Sequence, residues 1–370
     1  MLGFLRNVKK TMGKMNPFRL QASNYLSTIQ KEDRADKKTQ EDLQAKLALN
    51  PLDLHVQEMA VRLRIKRYNK IREKLQRELA KGNDFCKMIN FPRFSMQLDT
   101  SDGGSIYTVA CYLTNLLEPV EISAFGEMIC RNPDSLVIDV GANYGLYTLY
   151  ACDLARYNIV YKIVAVEPDR RVFQKLSKSI HDNGFDGKVT LINKAVSDID
   201  NQQVDIFINS VASVDNRTIS NGGINFVDHY IVETINIDSI VAEVEQNICK
   251  PKNIIIKMDI QGNEPRAFYG MLNTMKNYSS IAILFELDPS HITSAGIDPY
   301  QFANELFAAG FDRYVDVNET LQSLRSLNSI DDLTKTIRHC KSMGKNDPRR
   351  YTTILAYRGM IGPKALEMHR

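Results

Sequence analysis

Five short apolar runs, separated by stretches with helical spacing, constrain the fold of this chain more than any other feature. They begin near residue 134 and are rich in β-branched residues: 136–139, 163–167, 189–192, 254–259 and 281–286. Near-continuous apolar strands that alternate with helices are typical of a parallel sheet covered by helices on both faces. The sequence therefore predicts an α/β fold, in which the apolar segments 311–317 and 351–357 form a closing pair of strands.

The first 90 residues follow a different pattern. Apolar residues keep helical spacing from Leu52 to Leu79, after the helix-start signal Asn50-Pro51. We expect residues 21–90 to form a helical arm, either as an antiparallel helix pair or as part of an oligomer seam. Residues 91–370 would then form the α/β domain, with an insertion at 199–250 that is rich in Asn, Ser and Asp.

The formal net charge of +3 is distributed unevenly along the chain. Residues 1–90 hold 20 Lys and Arg against 10 Asp and Glu, whereas the other residues carry a net charge of −7. The basic segment 1–20 is predicted either to rest on an anionic membrane surface or acidic polymer, or to be a loosely ordered terminus. No nucleic-acid partner is expected, because no aromatic residues alternate with the basic ones at 62–81 for base stacking.

The remaining composition favours a cytoplasmic protein. No stretch approaches the roughly 18 consecutive apolar residues that span a bilayer, and the N-terminus lacks the pattern of a secretory signal. The six cysteines lie far apart with no Cys-x-x-Cys pair, and the six histidines show no metal-ligand spacing. We therefore expect reduced thiols and no metal.

Four of the predicted strands end in an acidic residue: Asp139, Glu167, Asp259 and Glu286. Ligands of open α/β sheets bind outside the carboxyl ends of the strands. A single acid at such a place could be coincidence. Four in the same register indicate a polar ligand that carries hydroxyl groups.

The segment Asp139-Val-Gly-Ala-Asn-Tyr-Gly145 follows the first strand and precedes a predicted helix. Gly141 and Gly145 permit a tight turn and a close approach of the backbone to a ligand. A dinucleotide fingerprint would need glycines at 141, 143 and 146, but position 143 is Asn and position 146 is Leu. The loop therefore favours a nucleoside with a charged amino-acid tail over a nicotinamide dinucleotide, and Glu167 can accept both ribose hydroxyls.

Four ordered segments of the chain resemble the FkbM-type methyltransferases, which depend on S-adenosylmethionine. The segments are 137–148, 164–168, 193–198 and 256–264, and the resemblance extends over about residues 105–358. It implies a Rossmann-like class I methyltransferase fold, with a seven-stranded, mostly parallel sheet that contains one reversed strand. It also implies O-methylation, here of a hydroxyl on a sugar, glycan or glycan precursor.

The resemblance implies which residues hold the cofactor and the substrate. Glu167 would hold the ribose, Asn193 and Ala195 the adenine, and Asp259 the methionine end. The other cofactor contacts would come from the glycine loop and its neighbours: Asp139, Gly141, Ala142, Asn143, Gly145, Tyr147 and Pro168. Substrate contacts are expected from Glu264, and from Arg217 of the insertion unless its segment is a solvated turn.

Methyl transfer to a hydroxyl requires alignment of the reacting atoms and a proton acceptor. Asp259 is the first candidate for this base, unless it serves only as a cofactor ligand. Glu286, on a buried strand that would raise its pKa, and His291 in the loop that follows are the other two.

One departure from the family pattern leaves a second function open. The usual Asp-x-Glu-Gly is here Asp259-Ile-Gln261-Gly262, which removes a carboxylate. An interaction protein with a basic docking arm, built on a degraded methyltransferase scaffold, is therefore the alternative. The intact glycine loop and Glu167 favour the enzyme.

Overall fold

The computed structural model describes the following residues: 34–49, 54–80, 88–91, 93–99, 108–109, 117–157, 159–209, 226–247, 250–344 and 347–364. They divide into two compact units, with the boundary between Leu117 and Glu118. The basic segment 1–20, the helix start Asn50-Pro51 and Arg217 lie outside the described residues.

The described part of the first unit has two helices and a short hairpin: α1 (Arg34–Leu49), α2 (Leu54–Ala80), β1 (Met88–Asn90) and β2 (Ser95–Gln97). The helices pack together through a buried hydrogen bond of 2.5 Å, which Arg67 Nη1 donates to Gln40 Oε1. Ile71 and Leu75 of α2 are fully buried. The predicted helical character of the arm is confirmed over these ranges, whereas the antiparallel pairing of β1 with β2 was not predicted.

The second unit contains the remaining elements. Its strands are β3 (Ser135–Val140), β4 (Val160–Val166), β5 (Val189–Ile192), β6 (Ala195–Val196), β7 (Gln203–Asn209), β8 (Phe226–Ile235), β9 (Asn253–Met258), β10 (Ile281–Leu287), β11 (Arg313–Asn318), β12 (Ser323–Leu327) and β13 (Thr352–Arg358). Its helices are α3 (Pro119–Arg131), α4 (Leu146–Ala155), α5 (Arg170–Asp182), α6 (Ile237–Asn247), α7 (Glu264–Tyr269), α8 (Leu272–Asn277), α9 (Pro289–Ser294), α10 (Pro299–Ala308) and α11 (Ile330–Ser342). A 3₁₀ turn, Pro348–Arg350, precedes β13.

Eight strands form the main sheet, in the order β12-β11-β13-β10-β9-β3-β4-β5. The five strands from β10 to β5 are parallel. β13 lies between β10 and β11 and is antiparallel to both, so the predicted closing pair and its reversed strand are confirmed. The eighth strand, β12, pairs antiparallel with β11 and is a second reversed strand at the edge. The sequence did not indicate it, because most of its residues are partly or fully exposed and it has no apolar run.

The core explains why these apolar runs form strands. All six residues of β3 are buried, as are five of the six residues in β9. A strand buried on both faces has no polar face to alternate with, so it is apolar throughout. The carboxyl ends of β3, β4, β9 and β10 consequently meet at one edge of the sheet. No helix within the described ranges combines the length and the apolar character needed to cross a membrane.

A second sheet, in the order β6-β8-β7, lies within and next to the predicted insertion. β7 and β8 are antiparallel, and β6 pairs in parallel with the end of β8. The helix that follows, α6, buries Ile237 and Ile240 in the main core. The insertion thus interrupts the alternation of strands and helices mainly because it forms this three-stranded sheet.

Candidate active site

The glycine loop after β3 makes the tight turn that its sequence predicts. Gly141 has φ 75° and Gly145 has φ 92°, both in the left-handed region that favours glycine. A Cβ added to Gly141 would lie 2.0 Å from the carbonyl oxygen of Asp259. The turn after β3 and the end of β9 are therefore in contact, and only a glycine permits it.

Glu167, directly after β4, is joined to this loop. Its Oε2 accepts a hydrogen bond of 2.8 Å from the amide of Asn143, and its Oε1 accepts one of 2.8 Å from the amide of Asp169. Burial raises the pKa of the Glu167 carboxyl to about 8, although these amides lower it. The two amides fix the orientation of the carboxylate and leave each oxygen a second lone pair for a ligand.

Asp139, at the end of β3, is fully buried. Its Oδ2 accepts a hydrogen bond of 2.6 Å from Thr148 Oγ1, but its Oδ1 has no hydrogen-bond partner among the described residues. Burial raises the pKa of Asp139. A buried acceptor without a partner is costly, so an ammonium group from a ligand would suit this position.

Asn193, after β5, connects the second and third strands of the predicted cofactor site. Its Nδ2 donates to the carbonyl oxygens of Glu167 at 2.8 Å and Pro168 at 3.0 Å. Ala195, which begins β6, is buried. The adenine contacts expected of Asn193 and Ala195 stay predictions, and so does the cofactor contact expected of Ala142, which is buried in the glycine loop.

Asp259, after β9, has both carboxylate oxygens engaged. Its Oδ2 lies 3.1 Å from Lys257 Nζ, and its Oδ1 accepts a hydrogen bond of 3.1 Å from Gln261 Nε2. Lys257 is buried, and its ammonium lies 4.7 Å from the ring centroid of Tyr147. Burial alone would lower the pKa of Lys257, but the carboxylates of Asp259 and Asp139 raise it, so the lysine stays charged.

Two further carboxylates near Tyr147 were not predicted from the sequence. Tyr147 donates a hydrogen bond of 3.1 Å to Glu121 Oε2, and Thr353 donates one of 2.6 Å to Glu121 Oε1. Burial raises the pKa of both Glu118 and Glu121. These glutamates lie at the start of α3, before the first strand of the main sheet, where no motif marked them. Lys257 did leave a signal, as a lysine inside an otherwise apolar strand.

Glu264 orders the loop after β9. It is buried, and it accepts hydrogen bonds of 2.9 Å from the amides of Ile260 and Gly262. Burial and the nearby carboxylate of Glu286 raise its pKa to about 8. Both oxygens thus serve the fold of this loop, and the substrate contact expected of Glu264 stays a prediction.

The end of β10 brings Glu286 and His291 together. His291 Nδ1 lies 3.8 Å from Glu286 Oε1 and 3.5 Å from Asp288 Oδ2. Burial and the charges of Asp259 and Asp288 raise the pKa of Glu286 well above its usual range. A Cβ on Gly262 would meet the backbone of His291, which was expected in a loop but lies on α9, so the loop after β9 is in contact with this helix.

The three side chains Glu286, Asp288 and His291 offer ligand atoms within 4.8 Å of one another, a spacing that could hold a cation. Asp288, however, already forms an ion pair with Arg350 and caps the first turn of α9. These contacts account for its charge without a metal ion. The absence of a metal stays a prediction.

The structure therefore brings most of the predicted site residues to one edge of the sheet. The edge is acidic: carboxylates of Asp139, Glu118, Glu121, Asp259 and Glu286 surround Lys257 or one another. Such a site can bind a ligand that carries positive charge and vicinal hydroxyls. These carboxylates can accept hydrogen bonds from the ribose hydroxyls and the ammonium of an adenosyl group with an amino-acid tail.

A protein-family model, described as a methyltransferase FkbM domain, matches residues 139–330. The match covers more than half of the 370 residues and contains the glycine loop, Glu167 and the segment from Asp259 to Glu264. No curated protein matches the chain.

Three solved structures illustrate the similarity to known folds. A methyltransferase FkbM from Methylobacillus flagellatus KT is 16% identical, with 68% of this chain and 53% of that chain covered and a TM-score of 0.36. A methyltransferase from Streptococcus mutans, solved with S-adenosylhomocysteine, is 10% identical, with 65% and 97% covered and a TM-score of 0.32. A SAM-dependent O-methyltransferase from Thermotoga maritima is 8% identical, with 65% of each chain covered and a TM-score of 0.31. This chain spans about half the length of the Methylobacillus protein, and likenesses this distant do not identify a substrate.

Proposed function

Since this chain belongs to the methyltransferase FkbM family, whose cofactor is S-adenosylmethionine, we propose that it methylates a hydroxyl of a sugar, glycan or glycan precursor. The observation that carries this proposal is the hydrogen bond between the Asn143 amide and Glu167. It places a buried, oriented carboxylate directly against a glycine loop, which is the arrangement that a ribose diol requires.

The cofactor would lie along the carboxyl ends of β3 and β4. Glu167 would accept the two ribose hydroxyls, and the unpartnered Oδ1 of Asp139 would accept from the ammonium of the methionine tail. When bound, S-adenosylmethionine supplies a methyl group on a positively charged sulfur, which is already activated for displacement. The chain therefore has to orient this group and the acceptor rather than activate them.

The charge of the site supports a neutral acceptor. A phosphate or carboxylate on the substrate would lie near the carboxyl groups of Glu118, Asp259 and Glu286, and the neighbouring cations Lys257 and Arg350 are already paired with Asp259 and Asp288. Hydroxyl groups, in contrast, can donate to carboxylates. A sugar or glycan hydroxyl fits this charge pattern, whereas a nucleic acid does not.

We assign proton removal from the acceptor to Glu286. The sequence placed Asp259 first, but both oxygens of Asp259 already bind Lys257 and Gln261. Glu286 is partly exposed at 18% of its side chain, and burial raises its pKa, which makes its carboxylate a stronger proton acceptor. His291 lies beside it and can stabilise its charge.

The alternative function, a scaffold protein with a degraded site, relied on Gln261. This side chain donates a hydrogen bond to Asp259 and so contributes an ordered contact to the site. Asp139, Glu167 and the glycine turn are all in place. These contacts favour the enzyme.

Calorimetry on the full chain tests the proposal. We expect saturable binding of S-adenosylhomocysteine, and strong loss of binding in Glu167→Ala. Mass spectrometry should then compare glycans from cells with and without the gene. We expect one glycan to be lighter by the mass of one methylene in the cells without it. A folded chain that binds no S-adenosylhomocysteine would contradict the proposal.

A further inference from the structure

Tyr230, in the middle of β8, is hydrogen-bonded to the segment that follows β4. Its hydroxyl accepts a hydrogen bond of 2.8 Å from the Arg170 amide and donates one of 3.2 Å to Asp169 Oδ1. The guanidinium of Arg170 lies 5.1 Å from the centre of the Tyr230 ring, and it donates a hydrogen bond of 3.4 Å to the carbonyl oxygen of Ile231. Tyr230 therefore contacts this segment with both its hydroxyl and its ring.

Asp169 links these contacts to Glu167, the carboxylate proposed to bind the ribose. Asp169 is buried, and its side chain caps α5 by accepting from the Arg171 amide at 2.8 Å. The amide of the same Asp169 donates to Glu167 Oε1 at 2.8 Å. The position of Asp169 thus sets one of the two hydrogen bonds that orient Glu167. Burial and the charge of Asp169 raise the pKa of Tyr230, so its hydroxyl stays protonated as a donor.

The other end of β8 holds the segment predicted to contact adenine. Thr234 and Ile235 pair with Ala195 and Val196 of β6. Glu233 forms an ion pair of 3.0 Å with Lys194, next to Asn193. One strand of the insertion therefore contacts two segments, 167–170 and 193–196, that follow neighbouring strands of the main sheet.

We propose that β8 positions the nucleoside site from outside the main sheet, and that Tyr230 is a positioning residue for Glu167. This inference rests on the proposed function, because it takes Glu167 as the ribose ligand. Tyr230 need not touch the cofactor. It holds Asp169, and Asp169 in turn holds the carboxylate.

Binding of two ligands by the full-length chain tests the inference. The ligands are S-adenosylhomocysteine and its analogue with a 2′,3′-dideoxyribose, which offers Glu167 no hydroxyl. We expect Tyr230→Phe to weaken binding of S-adenosylhomocysteine about fivefold, the effect of about one net hydrogen bond. Binding of the dideoxy analogue should be unchanged, because the orientation of Glu167 matters only to a ligand that contacts it.

The matched control is Ile231→Ala, in the same strand, since the Ile231 side chain is 54% exposed. It should bind both ligands as the wild type does. If Tyr230→Phe fails to fold, Arg170→Met provides a second variant. It removes the guanidinium contact with the Tyr230 ring and the hydrogen bond to the Ile231 carbonyl, but it keeps the hydrogen bond that Tyr230 accepts from the Arg170 amide. We expect a smaller loss with the same ligand selectivity.

Two results would overturn the inference while leaving the proposed function intact. In the first, Tyr230→Phe binds S-adenosylhomocysteine as tightly as the wild type. In the second, the affinity of Tyr230→Phe for both ligands falls by the same factor, which would indicate general loosening of the fold. If the wild-type chain itself binds no S-adenosylhomocysteine, the proposed function fails instead.

Discussion

The amide of Asn143 donates a 2.8 Å hydrogen bond to Oε2 of Glu167, which joins the glycine loop after β3 to the carboxylate after β4. The two segments are 24 residues apart in sequence. Because the same carboxylate also accepts from Asp169, its orientation is set from two sides. The proposed cofactor site is therefore ordered by the protein before any ligand binds, which reduces the entropy that binding would have to overcome.

The pH dependence of cofactor binding should report on Glu167. Burial raises its pKa to about 8, and only its ionised form can accept both ribose hydroxyls. Below about pH 8 the ionised fraction falls about tenfold for each pH unit, and the affinity for S-adenosylhomocysteine should fall with it. Calorimetry between pH 6 and 9 measures this slope, with pH values chosen to bracket the pKa of about 8. Glu167→Gln should bind more weakly at every pH with a flatter profile, and an unchanged slope in that variant would assign the titration to another group.

Gly141→Ala should abolish binding of S-adenosylhomocysteine and destabilise the fold. The added Cβ would overlap the carbonyl oxygen of Asp259, and φ is positive. Gly184→Ala is the matched control, because φ there is +69° but nothing lies within 4 Å of the added Cβ. The control should lose about 1–2 kcal/mol of unfolding free energy from the left-handed backbone alone and keep its affinity. Chemical denaturation and calorimetry compare the two variants, and equal losses in both would contradict the close approach at Gly141.

Lys257→Met should destabilise the protein strongly. It leaves the carboxylates of Asp259 and Asp139 without their buried cation, and removal of one partner of a buried pair costs about 3–5 kcal/mol. Lys252→Met removes the exposed pair with Asp134 and should cost at most about 1 kcal/mol. Thermal and denaturant unfolding measure both. Similar small effects would mean that the site tolerates its carboxylates by protonating them.

Glu286→Gln should slow methyl transfer without lowering the affinity for the cofactor. Loss of a general base lowers kcat by about 10² to 10⁴, while the dissociation constant of S-adenosylhomocysteine should be unchanged. Asp259→Asn should instead weaken cofactor binding, because Asp259, beside Lys257 at the end of β9, is the residue expected to hold the methionine end of the cofactor. Steady-state kinetics with the identified acceptor, together with calorimetry, separate these effects. The reverse pattern would make Asp259 the base.

Much of the fold could be predicted because burial on both faces leaves a local mark. The apolar runs that became β3, β4, β9 and β10 were visible in the sequence, as was the reversed β13 that the family resemblance implied. β12 was missed because an edge strand with exposed residues carries no such mark. The hairpin of β7 and β8 was recognised only as a break in the alternation.

The candidate site divides in the same way. Asp139, Glu167, Asp259 and Glu286 could be placed at one sheet edge because each ends a predicted strand. Most of their partners could not be predicted, because Glu121 precedes the first strand of the sheet and Tyr230 belongs to the insertion. Lys257 left a signal only as a lysine inside an otherwise apolar strand.

The strands, the left-handed turn at Gly141 and the acids at the strand ends could be predicted, since each depends on local residue type and spacing. The environment of each acid, in contrast, comes from tertiary contacts. Asp259 lies beside a buried ammonium, whereas burial and the nearby carboxylates of Asp259 and Asp288 raise the pKa of Glu286. The charge of Asp259 acts on Glu286 because folding places β9 beside β10, a contact that local residue type and spacing do not specify.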